Sequence, residues 1–216
     1  MATIDETMAE DTADLAALRS RRMRALKASY ARYAADPKLA SLRRSGSPLC
    51  PGRGSMTPRA VLVGEAPGEI EERERKPFRG PAGDVLTGVL TAIGLTRSDV
   101  FITNVVKYRP VIGQLRVRNR TPNLAEQMSS WPYIWEEIDV FRGVPVVCLG
   151  KVALAALGPP GVKVSSWHGT SWYDPHHTFT SWYHPAVAVY DPDMTPVLVD
   201  DARRWRKDVL EAPEIA

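Results

Sequence analysis

Apolar residues along this chain fall into short β-branched runs separated by longer stretches with helical spacing. Ala60 to Val63 is the clearest run; it stops at Gly64, and Glu65 follows at once inside a Gly/Pro turn, Ala66, Pro67, Gly68. A charged stretch, Glu69 to Lys76, leads to Phe78 between Pro77 and Gly80. Pro81, Ala82 and Gly83 then open a helix whose apolar side carries Val85, Leu86, Val89, Leu90 and Ile93. A second strand, Val100 to Ile102, continues through Thr103 and Asn104 to Val105 and Val106, so a polar amide interrupts a buried run. Asn123 to Phe141 reads as a helix with Met128, Trp131, Ile134, Trp135 and Ile138 on one side. Val144 to Leu149 is a third strand and feeds a helix, Val152 to Leu157. After a turn at Gly158 to Gly161, an aromatic, alternating segment ends in a strand-like run, Phe179 to Tyr183, and Pro196 to Leu210 forms a last helix. Strands alternating with helices predict a three-layer αβα sandwich with a mainly parallel central sheet.

The chain before the first strand has a different pattern. Residues 1–14 are acidic and polar and are expected to be disordered. From Leu15 to Tyr33, Leu15, Leu18, Met23, Leu26, Tyr30 and Tyr33 recur at roughly helical spacing among arginines, which predicts an amphipathic helix with a basic face that is either simply solvated or a phosphate contact. A short helical piece over Pro37 to Arg44 and a Gly/Pro/Ser-rich connection, Ser45 to Pro58, complete an N-terminal arm, residues 15–58, ahead of an α/β domain at 59–212.

Composition narrows the class. The 216 residues suffice for one domain with a sizeable core, and a net charge of +3 makes only a modest electrostatic case for nucleic acid. Two cysteines, Cys50 and Cys148, supply neither a disulfide framework nor a metal set. No apolar run approaches bilayer length and no signal peptide is visible, so the expectation is a cytoplasmic monomer with no membrane partner.

Candidate chemistry gathers at the strand ends. Glu65 is delivered to the end of the first strand, where open α/β sheets bind ligands, although an acid there also serves as an ordinary helix-start or ion-pair residue. Asn104 either caps its strand or presents one donor and one acceptor to a base edge. His184, pinned by Pro185, can reach the same sheet edge. The four histidines lack matching Cys or carboxylate spacing, so no metal is expected. The loop from Pro110 to Arg120 is basic: Arg116, Arg118 and Arg120 are candidates for a phosphate track, or simply surface arginines. Lys151 opens a helix whose N-terminus can hold an anion.

The motifs GEAPG (Gly64 to Gly68), PFRGPAG (Pro77 to Gly83), VFITNVVKYRP (Val100 to Pro110), NRTP (Asn119 to Pro122), VVCLGKVALAALG (Val146 to Gly158) and YHPAVAVYDP (Tyr183 to Pro192) occur in order. Together they resemble the uracil-DNA glycosylase superfamily, most closely its type 4 enzymes. The resemblance implies hydrolysis of the N-glycosidic bond of a flipped-out deoxyuridine in DNA, initiating base excision repair without a metal. In that reading Phe78 stacks on the base, Asn104 reads its Watson–Crick edge, His184 donates to O2 and Glu65 holds the attacking water. The backbone at Gly64, Ala66 and Gly68 passes close to substrate, and Tyr190, with the arginines and Lys151, faces DNA. A glycosylase for another deaminated or modified base, such as hypoxanthine, and a non-catalytic sensor of uracil-containing DNA are the alternatives.

Departures from the resemblance matter equally. Type 4 enzymes hold a four-iron cluster on four cysteines; here Tyr108 and Ser130 occupy two of those places, so no cofactor is expected, and Tyr108 and Trp131 are expected to pack into the space. The loop from Gly113 to Arg120 lacks the histidine of the crosslinking branch, which disfavours covalent capture. Val187, Ala188, Val189 and Tyr190 replace a Leu-Leu-Arg wedge, and His168 replaces an arginine before Gly169.

Overall fold

The computed structural model describes residues 4–43, 47–113 and 117–211. The chain runs α1 (Ile4–Ala35), a 3-10 helix (Pro37–Leu42), β1 (Arg53–Gly54), β2 (Ala60–Gly64), α2 (Glu69–Glu74), α3 (Pro81–Ala92) and β3 (Val100–Asn104). It continues through β4 (Val111–Ile112), β5 (Arg118–Asn119), α4 (Leu124–Asp139), β6 (Val146–Leu149), α5 (Lys151–Leu157) and α6 (Val164–Trp167). The last elements are β7 (Ser171–Tyr173), β8 (Thr178–Trp182), α7 (Ala186–Tyr190), α8 (Met194–Trp205) and a π turn at Arg206–Leu210.

Among the described residues the central sheet has six strands in the order β1-β3-β2-β6-β8-β7. β3, β2, β6 and β8 are mutually parallel, and the short outer strands β1 and β7 run antiparallel to their neighbours. Period-two alternation divides β2 between two cores. Val61 and Val63 face α1, α4 and α5 together with Phe101, Ile134, Ile138 and Phe141. Ala60 and Leu62 face α3 and α8 together with Leu86, Leu90, Trp182, Leu198 and Trp205. Both faces are covered, which is why the parallel strands read as continuous apolar runs.

Several elements differ from the expectation for physical reasons. α1 begins at Ile4, well before the Leu15 start given by apolar spacing, because the segment is rich in Ala, Glu, Met and Leu and contains neither Gly nor Pro. The apolar stripe is only half used: Leu26 and Tyr33 are buried, whereas Leu15 and Met23 are exposed. Nor is the arginine face simply solvated, since Arg22 donates to the carbonyls of Val140 (3.0 Å) and Met56 (2.8 Å) and lies over the Phe141 ring. The charged stretch after Gly68 is the helix α2, and the basic loop folds into an antiparallel ribbon, β4 with β5.

The start of α4 explains the NRTPN sequence locally. Asn123 Oδ1 accepts the Glu126 N–H (2.9 Å) while Glu126 accepts the Asn123 N–H (2.8 Å), a reciprocal cap. Arg120 closes the arrangement by donating to both Glu126 carboxylate oxygens at 2.6 Å. Replacing the cap, Asn123→Ala, is expected to lower unfolding free energy by about 1 kcal/mol. Urea titration with an unchanged m-value checks this, and equal stability would remove the cap from the account.

Candidate active site

Chain direction dictates where the site forms. From β2 the chain crosses through α3 to β3 on one side, and β6 lies on the other side of β2, so strand order reverses at β2. Loops leaving the C-terminal ends of β2 and β6 diverge there and open a crevice. A cleft of about 540 Å³ occupies this end of the sheet, lined among others by Ala66, Gly68, Glu71, Phe78, Asn104, Asn119, His184 and Tyr190.

The expected Asn104, Phe78 and His184 converge on it. Asn104 ends β3 and is buried, 3 % exposed, although its partner strand offers it no side-chain neighbour: Gly64 is directly opposite in register. A Cβ at Gly64 would lie 2.4 Å from Asn104 Oδ1 and 2.6 Å from the Phe78 ring, so only glycine fits. Phe78 adopts a left-handed backbone (φ 52°), unusual for an aromatic residue, and this turns its ring into the cleft. The His184 ring lies 5.5 Å from the Phe78 ring with planes 28° apart. His184 is placed by the β8–α7 turn and backs onto Gly150, where a Cβ would approach its own Cβ to 2.8 Å.

His184 is electrostatically unusual. Burial lowers its pKa to about 4, with the Glu71 charge pulling weakly the other way, so the ring is neutral near pH 7. The Ala186 N–H donates to Nδ1 at 3.2 Å, which makes Nδ1 the acceptor and assigns the ring proton to Nε2.

The remaining expected residues are arranged less simply. Gly64 forms the floor behind Asn104 and Phe78, and Ala66 and Gly68 line the wall. Glu65 is half-buried and stands beside the cleft lining, not within it. Burial raises its pKa, against a hydrogen bond from Thr121 and the charge of Lys151. Lys151 is exposed at the start of α5, Arg118 is exposed on β5, and Tyr190 is 87 % exposed at the cleft mouth. Arg120 is engaged within the chain: its guanidinium donates to Glu126 and to the Val111 carbonyl and so braces the start of α4. Arg116 lies outside the described residues.

Sequence reasoning missed two organising contacts. Glu71 accepts the backbone N–H groups of Gly68 (3.1 Å), Arg79 (2.8 Å) and Gly80 (2.7 Å), tying the GEAPG turn to the Phe78 turn. Its position three residues after the cap of α2 was the available signal. Arg109 is nearly buried and joins Asn119 (2.6 Å) to Glu69 and Glu72, holding the NRTP segment against α2.

The four-iron cluster implied by the resemblance does not fit the residues present. The chain has two thiols; Cys148 is enclosed in the centre of β6, and the positions of Tyr108 and Ser130 carry no thiol. Tyr33 of α1 fills this region. Its ring stacks on Tyr108 at 5.8 Å and meets the Tyr133 edge at 5.1 Å, and its hydroxyl bonds Ser130 at 3.1 Å. Trp131 packs against the large core that also contains Tyr33 and Tyr108; the part played by Tyr33 was not foreseen. Among the described residues no group of three or more His, Cys, Asp and Glu side chains is placed to hold a metal ion, and no helix is long and apolar enough to cross a membrane.

Comparison with known proteins agrees with this architecture. A curated type-4 uracil-DNA glycosylase of Saccharolobus solfataricus is 34 % identical over 175 residues, covering 76 % of this chain and 77 % of the relative. One from Sulfurisphaera tokodaii is 35 % identical, covering 73 % of each, and one from Archaeoglobus fulgidus is 32 % identical, covering 76 % and 83 % respectively. Residues 51–209, which span the whole sheet from β1 to the end of α8, match the family described as the uracil DNA glycosylase superfamily, and the chain belongs to it.

Proposed function

We infer that this protein is a uracil-DNA glycosylase that hydrolyses the bond between uracil N1 and C1′ of deoxyribose, leaving an abasic site for base excision repair. The observation that carries this reading is His184, its Nδ1 held by the Ala186 N–H, in one cleft with Phe78 and Asn104. A base inside a duplex cannot reach such a slot, so the nucleotide is extruded, at a cost of a few kcal/mol that is smallest for mispaired or unpaired bases.

In the slot Phe78 stacks on the base, a contact worth about 1 to 3 kcal/mol. The Asn104 amide donates to uracil O4 and accepts from N3–H; cytosine presents the reverse pattern and is refused. As the C1′–N1 bond breaks, its electron pair moves into the base and negative charge collects on O2. The His184 Nε2–H donates to that oxygen, and because the ring starts neutral it strengthens its bond as the charge develops. Water adds to the cationic C1′ and passes a proton to the Glu65 carboxylate, while the released uracil anion takes up a proton from solvent. Glu65, ionised and beside the slot, supplies the counter-charge for the sugar and holds that water. Tyr190 at the mouth and Arg118 and Lys151 on the exposed rim are assigned to the DNA strand. The reaction uses no covalent intermediate and no metal.

Single-turnover release of uracil from single-stranded and U·G duplex oligonucleotides, in EDTA, tests the assignment. His184→Ala is expected to slow release about a hundredfold or more with DNA binding retained. Tight binding without release by the unmodified protein would turn the reading to another base or to a sensor.

Asn104→Asp is expected to extend release to cytosine, because a protonated acid matches the cytosine edge; unchanged selectivity would remove Asn104 from base reading.

The pH profile separates the two catalytic groups. His184 with a pKa of about 4 is already neutral through the range where an ordinary imidazole titrates, so no inflection is expected near 6.5. Glu65 must be ionised, and burial raises its pKa above the usual 4.5, so the rate is expected to fall as pH drops through that raised value. Glu65→Gln should lose this acidic limb along with most of the rate. A limb at 6.5 that disappears in His184→Gln would overturn the neutral-donor assignment.

A further inference from the structure

Behind the cleft, and forming no part of its lining, lies a buried ion pair, Lys107 with Glu137, at 1 % and 0 % side-chain exposure. The ammonium spends its three N–H groups on Glu137 Oε2, the Thr103 hydroxyl (2.8 Å) and the backbone carbonyl of Asn104. The last of these is informative. Val105, whose N–H belongs to the same peptide unit as that carbonyl, donates to Gly64 O at 2.9 Å. The peptide plane that follows Asn104 is therefore gripped at both edges, by Lys107 on its oxygen and by the Gly64 turn on its nitrogen. With that plane fixed, the backbone torsion at Asn104 is fixed too, and so is the origin of the amide that reads the base.

The grip is continued by α1. Tyr30 donates to Glu137 Oε1 and accepts the Gly52 N–H (2.9 Å). One helical turn later Tyr33 accepts the Lys107 N–H at 2.9 Å. Because Ser130 Oγ donates to the Glu126 carbonyl (2.8 Å), Tyr33 is the donor in the Tyr33–Ser130 pair, and the hydroxyl directions are set from Lys107 to α4. Two tyrosines at i and i+3 thus hold both ends of the same lysine, its ammonium through Glu137 and its amide directly.

We propose that Lys107 is a positioning residue for base recognition: together with Glu137 and the α1 tyrosines it holds Asn104 in the orientation that reads the base edge. This makes the N-terminal helix part of the active-site mount. The inference rests on the assignment of Asn104 as the base reader. A buried charge pair is a poor source of net stability, and here one of its donors is spent on the backbone carbonyl of the residue that faces the slot.

The difficulty in testing it is that Lys107→Met alone leaves Glu137 buried and unpaired and is expected to lower Tm by roughly 10 °C. The double variant Lys107→Met/Glu137→Gln removes both charges, preserves side-chain volume and keeps an acceptor for Tyr30, and is expected to recover most of that loss. If the pair merely supports the fold, uracil release should recover with Tm. If Lys107 positions Asn104, the double variant remains about tenfold or more slower in single-turnover release at saturating enzyme, while its half-saturating concentration for DNA changes less than about twofold. Backbone amide exchange at Val105, which needs no activity, is expected to rise about tenfold in the same variant. A recovered Tm with unmodified rate and unmodified Val105 exchange overturns the proposal. Failure of the unmodified protein to release uracil overturns the uracil assignment instead, and Val105 exchange then decides the positioning claim alone.

Discussion

The site depends on the absence of a side chain. Gly64 and Asn104 are register partners at the ends of two parallel strands, and the space a Cβ would need at Gly64 is filled by the Asn104 amide and the Phe78 ring. Everything else in the slot follows from this approach. Phe78 crosses behind the strand end from a left-handed backbone, which Glu71 stabilises by gathering the N–H groups of the residues that follow it. His184 then faces Phe78 across the crevice, and Gly150 supplies the clearance on its other side, at a φ of 87°. Two strand-end glycines thus leave the room in which Asn104, Phe78 and His184 meet.

The layered sheet was legible in the sequence because its strands are buried on both faces. Ala60 to Val63 and Val146 to Leu149 are short, apolar and β-branched, whereas β3 stops at Asn104, two residues short of the run to Val106 that the apolar pattern gives. What escaped reading depends on contacts between distant segments. Arg120 looks like any loop arginine until Glu126 is seen to accept both arms of its guanidinium. The proton on His184 is set by the Ala186 N–H, and a backbone group carries no sequence signature. β1 and the β4–β5 ribbon are two-residue strands whose existence is decided by their partners, not by their own propensity.

The N-terminal helix shows how the same positions can be tied together by different chemistry. A cluster would join four segments through iron–sulfur bonds. Here Tyr33, Tyr108, Tyr133 and Ser130 join α1, the strand-end turn and α4 through ring contacts and a directed chain of hydroxyls. Individually such contacts contribute on the order of 1 kcal/mol, and they work because the helix brings several of them at once. Helical spacing alone could not reveal this, since a tyrosine on an apolar stripe looks like ordinary packing whether or not its hydroxyl has a destination.

The two thiols left in the chain carry a consequence for its chemistry outside the active site. Cys50 is buried, with its pKa raised to about 12, and burial in β6 raises Cys148 as well. Thiolate is the form that peroxides and alkylating agents attack, and neither residue offers it at neutral pH. A repair protein built this way has no sulfur in its reaction path and no accessible cysteine to protect.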